Sequence, residues 1–355
     1  MQHIRAVFVF LIILLSCQVC QAREYIINAV PSIANYYERA RSVNDFGQIV
    51  GESITQVING SSTQNAFYYQ NNDIYSLGTL GGKASTAYDI NNFGIAAGWA
   101  ADSFGKTQPV YWDLDGIHKL QTIIGKKAWA YSVNDNGLIA GVTDSSSGFK
   151  AALWLDENMQ LLESLGGVIS EALDINLNGI AVGRTTDRNN NQYGCLWNEA
   201  GLLTLGMLPG GSWTNAQAVN DYSQIVLQGN TYTSTGRTYL WDNNEIIDIG
   251  GLGGDETWGW GINNDGFIVG KATTVIGTYH AFVWDGEETI DLGTLGGYSS
   301  SAYSINKYGV IAGHAQDENG RWQAVTWTPV PEPTTIAGIV SFIPLYLVVS
   351  RKRIK

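Results

Sequence analysis

The chain has 355 residues, of which 45% are hydrophobic and 15% charged, with 42 glycines and a formal net charge of -12. A nucleic-acid ligand is excluded by this acidity, because binding to phosphates needs a basic face. Long amphipathic helical stretches are absent, so the composition favours an all-β domain rich in turns.

The first 22 residues have the layout of a secretory signal peptide. Arg5 is followed by an apolar run over residues 6–15 and then by the small residues near Ala22. We therefore predict that residues 1–22 are removed and that the remaining chain is exported. Residues 14–17 loosely resemble a lipoprotein cleavage site, so lipidation is an alternative. After removal Cys195 is the only cysteine left, which excludes an internal disulfide, and its place in the repeat predicts a buried apolar role.

Seven copies of one unit, each about 43 residues long, fill residues 25–327. One marker of the unit is an asparagine that recurs every 42 to 47 residues: Asn44, Asn91, Asn134, Asn176, Asn220, Asn263 and Asn306. A second marker is an aromatic residue that ends a short apolar run: Tyr69, Trp112, Trp154, Trp197, Trp241, Trp284 and Trp327. Around the asparagine each unit reads Ala, two variable residues, Val or Ile, Asn, usually a Gly, an apolar strand and a second Gly.

Each unit contains about four short runs rich in β-branched and aromatic residues, separated by turn residues, which is the period of a propeller blade. The turns at residues 134–137 and 263–266 predict a hairpin of strands a and b. The run that ends in the aromatic marker predicts strand c. For strand d we take the Leu-Gly segments at residues 76–82, 163–167, 204–211, 248–254 and 291–297.

The last unit lacks a strand d, because a proline-containing stretch follows Trp327 directly. Residues 25–30 precede the first strand a and have no partner of their own. We predict that they complete the last unit, so that residues 23–328 form a seven-bladed β-propeller closed by its N-terminal strand, without a free edge. An open solenoid of similar units is the alternative.

Residues 329–355 predict a C-terminal membrane helix. The motif Pro331-Glu332-Pro333 precedes an apolar stretch over residues 334–350, and the basic cluster Arg351-Lys352-Arg353 follows. The stretch is at the short limit for a membrane span, and the basic residues would stay on the cytoplasmic side.

These three parts, in this order, resemble the PEP-CTERM sorting signal of Gram-negative bacteria. The resemblance implies processing by the membrane protease exosortase after export by the secretion machinery, and an association with extracellular polysaccharide. The units themselves resemble the HAF-repeat extracellular proteins, most clearly at residues 280–284, 291–297 and 305–313. The two resemblances imply a protein anchored at least transiently in the membrane and then placed at the cell surface or in the extracellular matrix.

No cofactor or metal is expected, because His118, His280 and His314 occupy non-equivalent places in their units and show no ligand spacing. Residues 250–254 predict a turn rather than a phosphate loop, since the segment recurs in several units. Residues 174–179 match the first half of a calcium loop, but the position for the bidentate Glu is Thr185, so a hairpin is the better interpretation.

The loops between strands d and a and between b and c share one face of a propeller, and here these loops vary most, which indicates a binding face. Six residues in the d-to-a loops are candidates for ligand binding: Trp129, Trp213, Trp258, Trp260, Lys126 and Lys127. Aromatic rings stack on sugars, and the lysines would face uronate or sulfate groups. The alternative is that the rings fill gaps between blades.

We predict a non-catalytic surface protein that binds extracellular polysaccharide or another cell-surface component. One alternative is a glycoside hydrolase or lyase that uses carboxylates near the channel mouth, with Asp255, Glu256, Glu171 and Glu38 as candidates. Another is a structural or adhesive matrix protein that associates with itself through its invariant face.

Overall fold

The computed structural model describes residues 24–32, 37–55 and 63–331. All regular secondary structure in these residues is β-strand, so the predicted all-β class is confirmed. The predicted signal peptide and membrane helix lie outside the described residues, as does the sorting signal apart from Pro331. In the part that is described, no helix is long and apolar enough to cross a membrane.

The chain divides into two compact parts. One part contains residues 1–24 and 330–355, of which only Glu24, Val330 and Pro331 are described, and in it the Val330 amide donates a hydrogen bond to the Glu24 carbonyl at 2.9 Å. The other part, Tyr25–Pro329, contains every strand. The rest of this section concerns that part.

The chain begins with β1 (Tyr25–Ala29), after which the described strands fall into groups that we call units 1 to 7. Units 1 and 2 comprise β2 (Tyr37–Val43), β3 (Ile49–Thr55), β4 (Thr63–Gln70) and β5 (Asp73–Ser76), then β6 (Gly81–Ile90), β7 (Ala96–Asp102), β8 (Thr107–Asp113) and β9 (Gly116–Lys119). Units 3 and 4 comprise β10 (Ala128–Val133), β11 (Ile139–Ser145), β12 (Gly148–Leu155) and β13 (Asn158–Leu161), then β14 (Gly166–Ile175), β15 (Ala181–Asp187), β16 (Gln192–Asn198) and β17 (Gly201–Thr204). Units 5 and 6 comprise β18 (Thr214–Val219), β19 (Ile225–Gly229), β20 (Arg237–Asp242) and β21 (Glu245–Asp248), then β22 (Gly253–Ile262), β23 (Ile268–Thr274), β24 (Tyr279–Trp284) and β25 (Thr289–Asp291). Unit 7 comprises β26 (Gly296–Ile305), β27 (Ile311–Asp317) and β28 (Trp322–Pro329).

Within each unit, consecutive strands pair antiparallel, and the predicted a–b hairpins and c strands are where the sequence places them. In unit 7 the fourth strand is β1, which pairs antiparallel with β28 from Tyr25 opposite Pro329 to Ala29 opposite Val325. A single parallel bridge between Tyr37 and Trp322 joins unit 7 to unit 1. The residues ahead of the first unit are therefore the partner strand of the last one.

The prediction that the Leu-Gly segments form strand d is wrong. The fourth strands end where these segments begin, for example β5 at Ser76 and β25 at Asp291. A glycine two residues later has a positive φ, 75° at Gly78 and 69° at Gly293, and this conformation breaks strand pairing. The segments are the connections to the next unit. In four connections a hydroxyl of the next unit donates to the carbonyl of this glycine, from Ser85, Thr214, Thr257 and Ser300, and the Ser300 bond to Gly293 is 2.6 Å long.

The repeated asparagine links neighbouring units. In unit 3 the Asn134 Oδ1 accepts hydrogen bonds from the amides of Asn136 and Leu138, both at 3.0 Å, which fixes the turn between the first two strands. Its Nδ2 donates to the Asn176 carbonyl of the next unit at 2.8 Å. Each of the seven asparagines donates in the same way to the next, and Asn306 donates to the Asn44 carbonyl at 2.9 Å.

The second glycine of the motif is required by a close backbone approach. A Cβ at Gly141 would lie 2.1 Å from the Trp129 carbonyl oxygen, and the equivalent contact at Gly183 would be 1.9 Å. Unit 5 replaces both glycines of the motif. Ser223 takes the first place and adopts a φ of 65°, whereas the buried Leu227 takes the second and packs on the neighbouring strand at Gly194.

In three units the repeated tryptophan, Trp154, Trp197 or Trp327, joins neighbouring units through its ring nitrogen. The buried Trp154 donates from Nε1 to the Gln121 carbonyl at 2.8 Å, and Trp327 does the same to Leu292. Each acceptor belongs to the connection that follows the preceding unit. The asparagine marker therefore links all seven units through its buried amide, and the tryptophan marker adds an indole hydrogen bond in three of them.

Candidate functional site

The first strand of every unit contains a β-bulge. Its pairing with the second strand skips one residue, which follows the motif alanine or, in unit 6, Gly259. A bulge turns the extra residue away from the regular pleat. The skipped residues all line one cavity of about 630 Å³ between the first strands: Arg41, Tyr88, Tyr131, Leu173, Gln217, Trp260 and Tyr303. We call this cavity the channel mouth.

Sequence reasoning missed this ring of residues as a set. The signal was present, because these residues occupy the first of the two variable positions inside an otherwise constant motif. Only Trp260 was selected, as an aromatic residue outside the repeat pattern. A position that varies among constant neighbours is free of the scaffold's demands and is available for a ligand.

The residue that follows the skipped one in each unit forms a second layer of the channel mouth, and this layer contains the carboxylates of Asp89 and Asp174. The Ser132 hydroxyl lies 2.7 Å from Asp174 Oδ1 and 3.0 Å from Asp89 Oδ2, so it bridges them. Asp174 also accepts the amides of Ile175 and Val219 at 2.8 Å. Burial, followed by the charge of Asp89, raises the pKa of Asp174 to about 6.

Two arginines of unit 1 share one buried carboxylate. Glu52, 2% exposed, accepts from Arg41 Nε at 2.8 Å and from Arg39 Nη1 at 3.0 Å. The Arg41 guanidinium lies 5.2 Å from the centre of the Tyr303 ring and 5.5 Å from that of Tyr88. The pair of arginines thus leaves one positive charge in excess among aromatic rings, where cations are favoured.

Unit 6 contributes a second cation. The Lys271 Nζ lies 4.3 Å from the centre of the Tyr279 ring and 5.5 Å from that of Trp260. Burial lowers the pKa of Lys271, and the positive charge of Arg39 lowers it further, while Glu256 opposes both effects. Trp260 in turn packs on Tyr303, with ring centres 5.0 Å apart.

His314 lies in a box of aromatic rings near these cations. Its ring contacts Trp322 edge-on at 4.3 Å and Tyr303 at 5.4 Å. Burial lowers its pKa well below the usual value, and the charges of Arg39, Arg41 and Lys271 lower it further. The imidazole is therefore neutral at pH 7, and all three cations act on it from nearby.

The predicted ligand residues divide into two groups. Trp213 and Trp258 are stacked with ring centres 6.1 Å apart and planes at 7°, and Trp258 Nε1 donates to Glu256 Oε2 at 3.3 Å, beside Lys271 and Trp260. Among the described contacts, none connects Trp129, Lys126 or Lys127 to this first group. Trp129 packs on Phe149, Lys126 Nζ lies 3.8 Å from Asp144, and the Lys127 side chain is exposed.

The predicted loop location of three tryptophans is wrong. Trp129 lies in β10, and both Trp258 and Trp260 lie in β22, because the first strands begin earlier than the loop pattern indicated. Trp213 directly precedes β18. Packing also contributes to their placement, since a Cβ at Gly236 would lie 2.3 Å from the Trp258 ring.

The predicted carboxylates have different partners. Glu171 forms a salt bridge with Arg184 at 2.6 Å, and Glu38 accepts from the Ser53 hydroxyl at 3.3 Å. Glu256 accepts hydrogen bonds from the hydroxyls of Tyr279 and Thr235, and these bonds lower its pKa. Asp255 is exposed.

The remaining predicted residues have structural settings. Cys195 is fully buried, as predicted, and burial raises the pKa of its thiol. His118 contacts Asp113 at 2.8 Å, and His280 contacts Asp291 at 2.8 Å. Within residues 24–32, 37–55 and 63–331, no three His, Cys, Asp or Glu side chains are grouped so as to hold a metal ion.

No protein-family model matches the sequence, and no curated protein matches it. The β-propeller domain of the Trilobed protease from Pyrococcus furiosus is 13% identical, with a TM-score of 0.58 over 83% of this chain and 94% of that one. The puromycin hydrolase S511A mutant is 11% identical, with a TM-score of 0.55 over 81% of this chain and 53% of that one. The Pyrococcus horikoshii acylaminoacyl peptidase is 12% identical, with a TM-score of 0.50 over 86% of this chain and 54% of that one.

The chain thus spans about half the length of the last two proteins. At these identities the likeness shows the fold alone. This fold is a β-propeller, as the sequence predicts.

Proposed function

We propose that units 1 to 7 are the blades of one closed seven-bladed propeller, with β1 completing the last blade. The support is the series of asparagine hydrogen bonds, which returns from Asn306 to Asn44 at 2.9 Å. Ile27 of β1 packs on the unit 7 core, whereas Ile26 is 56% exposed. Ile27→Ser should lower the free energy of unfolding by about 1–3 kcal/mol. If Ile26→Ser costs as much, β1 does not close the ring.

We propose that this propeller is an exported, surface-sorted protein that binds extracellular polysaccharide at the channel mouth without catalysis. The observation that carries the proposal is the bulge in every first strand, which directs Tyr88, Tyr131, Trp260 and Tyr303 toward one cavity of about 630 Å³. Aromatic rings offer flat apolar faces to the C–H faces of sugar rings, and a cavity of this size suits a small number of sugar units. Trp213 and Trp258 would extend this surface outward, and Trp129, Lys126 and Lys127 would line the rim.

A pull-down tests the binding proposal. The full chain, in a mild detergent, is mixed with immobilised polysaccharide from the producing bacterium, and the size of the polymer is measured afterwards. We expect retention with intact polymer, and loss of retention in Trp260→Ala. Tyr75→Ala is the matched control, since Tyr75 is an exposed aromatic residue on the short fourth strand β5. Equal retention of both variants would contradict binding at the channel mouth.

A second candidate function is glycan cleavage, favoured by the pair Asp89 and Asp174. Both carboxylates bond to Ser132, and burial raises the pKa of Asp174 to about 6, which would make Asp174 the candidate general acid of such a pair. Against it, Asp174 already accepts two backbone amides as well as the serine. Shortened polymer in the pull-down, abolished by Asp174→Asn, would select the enzyme.

Export and sorting complete the proposal. The support is in the sequence: the signal-peptide layout of residues 1–22 and the order of Pro-Glu-Pro, apolar stretch and Arg-Lys-Arg in residues 331–353. Exosortase would cut near the Pro-Glu-Pro motif after the membrane helix has held the chain. Mass spectrometry of the protein from a Gram-negative host with and without its exosortase should show loss of the C-terminal residues only when the protease is present. Identical C termini would reject the sorting signal.

A further inference from the structure

Lys271 is a cation without a bonded acceptor in the channel mouth. Its side chain is half-buried and lines the cavity, with the ammonium placed over the rings of Tyr279 and Trp260. Among the described residues the ammonium forms no hydrogen bond and no ion pair. Three N–H groups are thus held by two rings beside a cavity and are available to an acceptor.

The nearest carboxylate is occupied by other donors. Glu256 accepts from the Tyr279 hydroxyl, from the Thr235 hydroxyl at 2.8 Å and from Trp258 Nε1 at 3.3 Å. These neutral donors hold the carboxylate without bringing it within ion-pair distance of Lys271. Glu256 therefore moderates the positive charge at the mouth but leaves the ammonium free to bond.

The cations Arg39, Arg41 and Lys271 lie close together at one end of the channel mouth, with Glu52 and Glu256 beside them, while Asp89 and Asp174 lie in the second layer. Arg39 and Arg41 share the single carboxylate of Glu52, and both act with Lys271 on the buried His314. In a chain of net charge -12, three cations this close to one buried side chain are a local concentration of positive charge. A partly desolvated pocket strengthens the attraction for an anion, since the effective dielectric constant there is below that of water.

We propose that the channel mouth selects sugar units that carry a carboxylate, with the Lys271 ammonium as the group that bonds it while Trp260 and Tyr303 contact the sugar ring. This inference rests on the proposed glycan binding and narrows it to acidic polysaccharides. The cation sets the charge of the ligand, and the aromatic wall sets the preference for a ring. An acidic peptide would meet the first requirement but not the second.

Three polymers separate these requirements. Polygalacturonic acid has sugar rings with free carboxylates, its methyl ester has the same rings without charge, and poly-L-glutamate has carboxylates without sugar rings. Affinities are measured by titration calorimetry with the full chain in a non-ionic detergent. We expect polygalacturonic acid to bind at least tenfold more tightly than either of the others, since a charge-assisted hydrogen bond corresponds to about that factor.

Lys271 variants test the assignment of the group. Lys271→Met keeps the apolar stem and removes the charge, so it should weaken binding of polygalacturonic acid about tenfold or more and leave binding of the methyl ester unchanged. Lys271→Arg should retain part of the affinity for polygalacturonic acid that Lys271→Met loses. Lys119→Met is the matched control, because Lys119 is an exposed lysine on the short fourth strand β9. Its binding should equal that of the unchanged chain.

Each other outcome overturns a defined part of the proposal. Equal affinity for the acid and its methyl ester would reject carboxylate selection and leave glycan binding intact. Tight binding of poly-L-glutamate would reject the sugar and point to an acidic peptide. Binding of none of the three, nor of the natural polysaccharide, would reject the proposed function itself. A thermal unfolding midpoint of Lys271→Met that is not below that of the unchanged chain shows that the variant folds, since the change removes a partly buried charge.

Discussion

Replacing Asn134 by Ala should destabilise the fold far more than replacing its neighbour Asn136. The Asn134 side chain makes three hydrogen bonds in a buried position, to the amides of Asn136 and Leu138 and to the Asn176 carbonyl. At about 1 kcal/mol of net stability each, their loss lowers the free energy of unfolding by about 3 kcal/mol. The free energy of unfolding of a folded domain is typically about 5–15 kcal/mol, so this loss is a large part of it.

Asn136 is the internal control. Its exposed side chain makes one hydrogen bond, from Nδ2 to the Leu177 carbonyl at 3.0 Å, so Asn136→Ala should cost less than about 1 kcal/mol. Asn134→Asp separates the two roles of Asn134, because it keeps the acceptor for the turn and replaces the donor to Asn176 by an oxygen. We expect Asn134→Asp to lower the free energy of unfolding by more than Asn136→Ala does and by at most about as much as Asn134→Ala.

Equilibrium unfolding in urea, followed by tryptophan fluorescence, measures these differences as shifts of the midpoint at constant slope. If Asn134→Ala and Asn136→Ala have the same midpoint, the hydrogen bonds between units do not stabilise the fold. If Asn134→Asp matches the unchanged chain, only the turn matters and the link to the next unit contributes nothing.

Three further predictions follow from the scaffold and the channel. Trp154→Phe should cost about 1 kcal/mol more than Trp112→Phe, because both variants lose the same buried ring volume but only Trp154 loses an indole hydrogen bond, the Trp112 Nε1 having no partner among the described residues; thermal unfolding midpoints compare them. Gly141→Ala should prevent accumulation of soluble folded chain, while Gly137→Ala, at a φ of 78° with open space around it, should only lower the midpoint. The pKa of Asp174, about 6 in the fold against an ordinary 3.8, means that the folded chain holds that proton more tightly than the unfolded chain. The free energy of unfolding should therefore fall as pH rises from about 4 to about 6, and Asp174→Asn should flatten that slope.

Much of the fold could be predicted because the repeat markers are themselves the stabilising contacts. A buried asparagine that fixes a turn and bonds the next unit must recur once per unit, so its spacing reveals the period. The missing strand after Trp327 and the unpaired residues 25–30 predicted the pairing of β1 with β28. The Leu-Gly segments were wrongly predicted as strands, because alternating leucines favour a strand, whereas the positive φ of a glycine such as Gly293 interrupts one.

The site was less predictable, because it depends on pairing between strands that a sequence pattern does not contain. Trp260 was found as an aromatic residue outside the pattern, but Arg41 gave no signal until the bulge placed it in the channel. Lys271 was missed for the same reason, since it lies on a second strand opposite Trp258 and reaches the mouth only through that register. Strand β2 is separated from β22 and β23 by more than 200 residues along the chain, which is beyond any local pattern.

The bulge also explains how one scaffold can tolerate changes of ligand. The motif alanine and the second glycine are fixed by the close approach of the strands, as at Gly141, where a Cβ would meet a carbonyl oxygen at 2.1 Å. The skipped residue, which follows the alanine, is not paired with the second strand and lines the channel, so its identity is less constrained by the pairing of the strands. Leu173 and Gln217, which hold this position in the adjacent units 4 and 5, contribute no ring and no charge at the skipped position. The aromatic and cationic side chains of the other units therefore make the cavity asymmetric, and under the proposed binding a sugar carboxylate bonded to Lys271 would place the sugar ring beside Trp260 and Tyr303.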